Sequence, residues 1–143
     1  MRIKYMSDEE MAKAAMSEEE TVMTCSIESL DQISSRDGKG VFMVFTQEGC
    51  GYCEPFLAET GKALGNKVTI AESSLDDTQC LDLAKKYNVP GTPVGIYFKD
   101  GKEVRRVNPL GKTWDVIRGE LNEIAKVVEA STPQPAPDSA PTG

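Results

Sequence analysis

From Val22 to Val128 the apolar positions change period several times, and each change marks an element. Val22-Met23-Thr24-Cys25-Ser26-Ile27 alternates, which predicts a first strand with Met23, Cys25 and Ile27 on one face. Leu30 and Ile33 fall at helical spacing within Ser29 to Ser35, and Arg36-Asp37-Gly38-Lys39-Gly40 reads as a turn into the next strand. The unbroken run Val41-Phe42-Met43-Val44-Phe45 predicts a buried strand. After it, Glu54 to Leu64 carries apolar side chains at steps of three and four, an amphipathic helix that Gly65-Asn66 closes. Val68-Thr69-Ile70-Ala71 is the following strand, running out at Glu72-Ser73-Ser74. Asp77 to Tyr87 places Cys80, Leu83, Ala84 and Tyr87 on one helix face, and Asn88-Val89-Pro90-Gly91-Thr92-Pro93 breaks that helix. Val94 to Phe98 is a strand that turns at Asp100-Gly101 into Glu103 to Val107, the pairing signature of a hairpin. The clearest amphipathic helix comes last, Thr113 to Val128, with Trp114, Ile117, Leu121, Ile124 and Val128 on one stripe.

The two ends follow different rules. Residues 1 to 20 are acidic and rich in Met, Ala and Glu, and both Ser7-Asp8-Glu9-Glu10 and Ser17-Glu18-Glu19-Glu20 match a helix capping box, so a short, loosely attached helical extension is expected there. Residues 131 to 143, from Ser131 on, are Pro-rich and without apolar periodicity, which predicts a disordered tail. The folded unit is accordingly expected over residues 21 to 130.

Composition adds limits. The chain has 143 residues, 39% hydrophobic and 27% charged, enough for one domain with its own core. A net charge of −7 repels phosphate backbones and anionic lipid, so neither nucleic acid nor a membrane surface is expected as a direct partner. No run approaches the roughly 20 apolar residues of a membrane span, and the start lacks the apolar core of a signal peptide. A cytoplasmic location is therefore expected, or a periplasmic one if an export signal has been removed.

Candidate chemistry centres on Thr46-Gln47-Glu48-Gly49-Cys50-Gly51-Tyr52-Cys53. Two cysteines separated by two residues sit where a buried strand gives way to a helix, so Cys50 is expected at a helix N-terminus. Unpaired backbone N–H groups and the positive end of the helix dipole stabilise the thiolate there, the nucleophilic form of cysteine. Gly49 and Gly51 leave Cys50 uncovered. The alternative is a structural zinc site completed by Cys25 and Cys80; against it, those two are single and far apart, and the chain has no histidine. Cys25 and Cys80 otherwise read as small core residues.

Taken in order, strand, helix, strand, Cys-x-x-Cys helix, strand, helix, Thr-Pro strand, hairpin strand and helix, the chain resembles the thioredoxin superfamily over about residues 21 to 130. The motifs that carry the likeness are Cys50-Gly51-Tyr52-Cys53 and Gly91-Thr92-Pro93. The resemblance implies an α/β thioredoxin fold, a central mixed β-sheet flanked by helices, with a cis bond before Pro93 facing the cysteine pair. It also implies a substrate-binding role for Tyr52, Thr92 and Pro93, with the Thr92 backbone placed to pair with a substrate strand.

Departures from the family are equally specific. The tryptophan expected four residues before the first cysteine is Thr46, the buried aspartate of the central strand is Val44, and the lysine of the next strand is Glu72. Glu72 is thereby a candidate proton relay from the neighbouring strand. Cys-Gly-Tyr-Cys with Thr before the proline is closer to bacterial disulfide isomerases and glutaredoxins, yet no isomerase-type dimerisation domain is present, so a monomer is expected. Pro55 falls in the first helical turn, where a missing N–H is tolerated best.

The expected activity is thiol–disulfide exchange on protein disulfides. Cys50 attacks, Cys53 resolves, the redox-active disulfide serves in place of a cofactor, no metal takes part, and a reductase or small thiol supplies electrons. The competing reading is a thioredoxin-fold binding or accessory module in which the cysteines are incidental. Glu48 and Glu54 flank the pair and oppose the helix dipole, which favours a reducing protein.

Overall fold

The computed structural model describes residues 2–6, 21–35, 38–65 and 67–131. Over these the chain runs β1 (Arg2–Met6), β2 (Thr21–Thr24), α1 (Ile27–Ser35), β3 (Val41–Thr46), α2 (Cys53–Leu64), β4 (Thr69–Ser74), α3 (Thr78–Lys86), β5 (Val94–Lys99), β6 (Lys102–Val107) and α4 (Trp114–Ser131). The strands form one sheet in the order β2-β1-β4-β3-β5-β6. The first four of these lie parallel to one another, while β5 runs antiparallel to β3 and β6 antiparallel to β5. The sheet is thus mixed, as expected.

Every residue of β3 is buried, and its side chains divide between two cores by the period of two that a strand imposes. Val41, Met43 and Phe45 join Leu30 and Ile33 of α1, Cys80 and Leu83 of α3, and Val94, Ile96 and Phe98 of β5. Phe42 and Val44 face the other way, onto Phe56 and Leu64 of α2 and Ile117, Leu121, Ile124 and Val128 of α4. A run that is apolar throughout is what a strand covered on both faces requires. Asp100 and Gly101 both have positive φ, 54° and 80°, the backbone of the tight turn that joins β5 to β6.

The amino-terminal boundary is corrected. Residues 2–6 are a strand inside the sheet, pairing with β2 on one side and β4 on the other, so the folded unit takes in part of the segment expected as an extension. Arg2-Ile3-Lys4-Tyr5-Met6 does alternate, and a parallel strand between two others satisfies its backbone donors and acceptors on both edges. The helix expected from the capping boxes, and the Pro-rich tail beyond Ser131, lie outside the described residues. A second correction concerns β2, which stops at Thr24, leaving Cys25 just past its end and Ile27 as the first residue of α1. The third is β4, which continues through Glu72 to Ser74 instead of ending before it.

Candidate active site

The candidate site forms where β3 delivers the chain to α2. Gly49 adopts φ 82°, a conformation that side chains disfavour, and a Cβ at Gly49 or Gly51 would meet nothing within 4 Å. The loop is consequently open above Cys50. Cys50 N–H donates to the Gln47 carbonyl at 3.2 Å and Cys53 N–H to the Cys50 carbonyl at 3.3 Å, so the two cysteines bracket a single tight turn. Helix α2 begins at Cys53, with Tyr52 as its N-cap residue. Cys50 therefore lies ahead of the N-cap, with Cys53 and not Cys50 at the helix N-terminus, a correction to the expected position. Pro55 is the third helical residue, and α2 continues unbroken past it, with Phe56 N–H reaching the Tyr52 carbonyl at 2.9 Å.

Cys50 and Cys53 are joined as a disulfide with their Cα atoms 5.5 Å apart. Their environments differ: Cys50 is partly exposed at the loop, whereas Cys53 is 5% exposed. Tyr52, between them, is 49% exposed and rests its ring on Trp114 at 5.8 Å between centroids. Sequence reasoning assigns Trp114 to the stripe of α4 and misses this contact, which depends on α4 packing over α2 and has no local signal.

The Thr92–Pro93 bond is cis. The Thr92 hydroxyl donates to the Gln47 side-chain oxygen at 3.4 Å, and Pro93 is buried. A hollow of about 480 Å³ is lined by Gln47, Glu48, Cys50, Tyr52, Thr92 and Leu110, so the segment before β5 and the cysteine loop share one wall. The structure thus brings Cys50, Tyr52 and Thr92 together around one hollow, whose lining does not include the buried Pro93.

Glu72 lies on β4 opposite Val44 of β3. Its carboxylate accepts a hydrogen bond from the Thr46 hydroxyl at 3.3 Å and lines a groove of about 620 Å³ that also touches Cys50 and Cys53. Val44, Thr46 and Glu72, three of the positions at which the sequence departs from the pattern it resembles, are neighbours in space.

Asp76 escapes the sequence reading. Its carboxylate accepts the Glu48 N–H at 2.7 Å and the Ser74 hydroxyl at 3.2 Å, while Leu75 N–H reaches the Thr46 carbonyl at 2.8 Å. The β4–α3 loop in this way clamps the cysteine loop from below. A Ser-Leu-Asp-Asp run signals a turn in the sequence, but nothing in it says which backbone the aspartate will hold.

Cys25 and Cys80 form a second disulfide, Cα atoms 4.9 Å apart, across a separation of 55 residues. Cys80 is fully buried, Cys25 is 6% exposed, and the Ser73 hydroxyl lies 3.2 Å from the Cys25 sulfur. Both are core residues, as expected, but bonded to each other and not separate thiols. The four cysteines considered as a zinc set therefore fall into two pairs, and among the described residues no group of three or more candidate ligands converges. Nor is any helix of the described residues long and apolar enough to cross a membrane.

A family model described as Thioredoxin matches residues 20–122. Among curated proteins, a thioredoxin of Rhodospirillum rubrum is 38% identical over 73 residues, covering 48% of this chain and 68% of that protein. The chloroplastic thioredoxin Y2 of Arabidopsis thaliana is 32% identical over 108 residues, covering 72% of this chain. The chain spans 58% of that protein and 47% of the chloroplastic thioredoxin Y of Oryza sativa subsp. japonica, about half the length of these two relatives. Among solved structures, a mutant thioredoxin from Halobacterium salinarum superposes with a TM-score of 0.54 at 20% identity, over 93% of this chain and 92% of that one. A thioredoxin from Thermus thermophilus gives 0.52 at 23% identity over 89% of each. Those likenesses establish the thioredoxin fold, and the family match and sequence identity establish descent: the chain belongs to the thioredoxin family of thiol–disulfide oxidoreductases.

Proposed function

We propose that the protein reduces disulfide bonds in polypeptides through Cys50 and Cys53. The observation that supports this most is the unequal placement of the pair, Cys50 partly exposed beside Thr92 and Cys53 5% exposed at the start of α2. An exposed sulfur can meet a bulky disulfide; a buried one meets only its neighbour.

In the reduced protein the Cys50 thiolate attacks one sulfur of the substrate disulfide, forming a mixed disulfide and expelling the other substrate sulfur as a thiolate, which takes a proton from water. Cys53 then loses its proton and attacks the Cys50 sulfur, re-forming the Cys50–Cys53 disulfide and releasing the second substrate thiol. Two electrons and two protons pass to the substrate. A reductase, or two equivalents of a small thiol that are oxidised to their disulfide, returns them to the protein. Glu72 is the proposed acceptor of the Cys53 proton, directly or through a water in the groove they share. Tyr52, Thr92 and Pro93 form the proposed substrate wall, the Thr92 backbone pairing with an extended peptide.

Incubation of each serine variant with a disulfide-containing protein such as insulin, followed by non-reducing gels, tests the assignment. Cys53→Ser is expected to accumulate covalent mixed disulfides, because attack occurs and resolution does not, whereas Cys50→Ser traps little. Equal trapping by the two, or no insulin reduction by the parent protein with dithiothreitol as donor, overturns the assignment in favour of a binding module.

A further inference from the structure

Resting on the reading of Cys50 as the attacking thiol, we infer that the protein selects disulfides flanked by basic residues and discriminates against anionic ones. The charged residues that line the two cavities beside Cys50 are all acidic. Glu48, Glu54, Glu72 and Asp76 line the groove of about 620 Å³ that opens on Cys50 and Cys53, and the adjoining hollow repeats Glu48. Glu48, Glu54 and Asp76 are exposed. Among the described residues no lysine or arginine lines either cavity.

Five of the described basic side chains pair with carboxylates that line neither cavity. Lys62 and Arg118 both reach Glu59, Lys112 reaches Glu120 at 2.8 Å, Lys67 reaches Glu129 at 2.8 Å, and Arg106 reaches Glu103 at 2.8 Å. Lys112 is close in sequence to Leu110 of the hollow, and its pairing with Glu120 draws its charge onto α4. The carboxylate of Asp76 is held in place by the Glu48 N–H and the Ser74 hydroxyl, so its charge is fixed beside the reacting loop instead of swinging into solvent.

A cationic flank is attracted to this site and an anionic one repelled, and the two effects compound in the ratio of rates. Because the carboxylates are exposed, each contact is modest and screened by salt. Together they give an expected preference of roughly tenfold for a Lys-flanked over a Glu-flanked disulfide of the same length. Glutathione disulfide, which carries carboxylates close to its sulfurs, falls on the disfavoured side.

The pre-reduced protein is mixed with two cystine-bridged peptides identical except for Lys or Glu on each side of the bridge, and single-turnover rates are read at about 20 and 500 mM salt, the higher of which screens such contacts to within a few ångströms. The Lys peptide is expected to react roughly tenfold faster at low salt, with the ratio shrinking at high salt. A Glu48→Lys/Glu54→Lys double variant, whose two lysines offset the remaining Glu72 and Asp76, is expected to abolish the preference. Equal rates for the two peptides, or a ratio that neither salt nor charge reversal moves, overturn the inference while leaving the redox assignment standing. Failure of the protein to reduce either peptide overturns both.

Discussion

The molecule contains the same covalent bond in two settings. Cys50–Cys53 spans a sequence separation of only 3, at the lip of a loop that glycines leave open. Cys25–Cys80 spans a sequence separation of 55, between the end of β2 and the first turn of α3, with both residues in the core. Cross-linking a chain restricts its unfolded state more as the loop lengthens, by about 4 kcal/mol for the long loop against about 2 kcal/mol for the short one. Thiol exchange instead requires access and a stabilised thiolate. On the proposed function, placement divides the two bonds into a working pair and a staple by burial and separation together.

The largest expected contrast lies in turnover. Cys50→Ser loses disulfide reduction altogether, while a Cys25→Ser/Cys80→Ser variant stays within about twofold of the parent, since its changes are confined to a core that the reacting sulfurs do not use. Insulin turbidity with dithiothreitol as donor reads both. Stability inverts the order: losing the Cys25–Cys80 bond is expected to cost about 2–4 kcal/mol in urea unfolding under oxidising conditions, and losing the Cys50–Cys53 bond about half as much. Equal losses would remove the distinction between staple and working pair.

How much of this is legible beforehand depends on the range of the signal. The buried run of β3, the cysteine spacing and the stripe of α4 can be read because each is written in consecutive residues. The pairing of Cys25 with Cys80 cannot, because it exists only once α3 packs on the sheet face beside the end of β2. Residues 2–6 read as part of a helical extension because the Met, Ala and Glu that follow them outweigh a five-residue alternation, and the strand β4 that stabilises it lies far along the chain. Glu72 is found from its family position, but its membership of β4 and its contact with Thr46 depend on a register that only the folded sheet supplies.

Smaller effects sharpen the description of the working pair. Glu72→Gln is expected to slow resolution of the mixed disulfide by about tenfold, below the usual range for a general base because water in the open groove substitutes in part. An unchanged rate and pH profile would return Glu72 to a purely structural position. Smaller again is the tie between α2 and α4, where the Arg118 guanidinium, by hydrogen bonding to Glu59, holds that carboxyl below its ordinary range. A lowered folded-state value means stabilisation present above the ordinary carboxylate range and lost as pH falls through the folded value. Glu59→Gln is thus expected to lower the melting temperature slightly at neutral pH and not at all in strong acid. The exposure of the pair keeps the change small. An effect of the same size at both extremes would contradict the ion-pair origin.

The division between the two disulfides is tested most directly by equilibrating the native protein in a series of redox buffers, alkylating the free thiols and weighing the products. A plateau at two alkylated cysteines, mapped to Cys50 and Cys53 with a midpoint below about −180 mV, is the predicted result, with Cys25 and Cys80 still joined until stronger reducing conditions or unfolding expose them. Reduction of all four cysteines in one step, or of Cys25–Cys80 first, would contradict it.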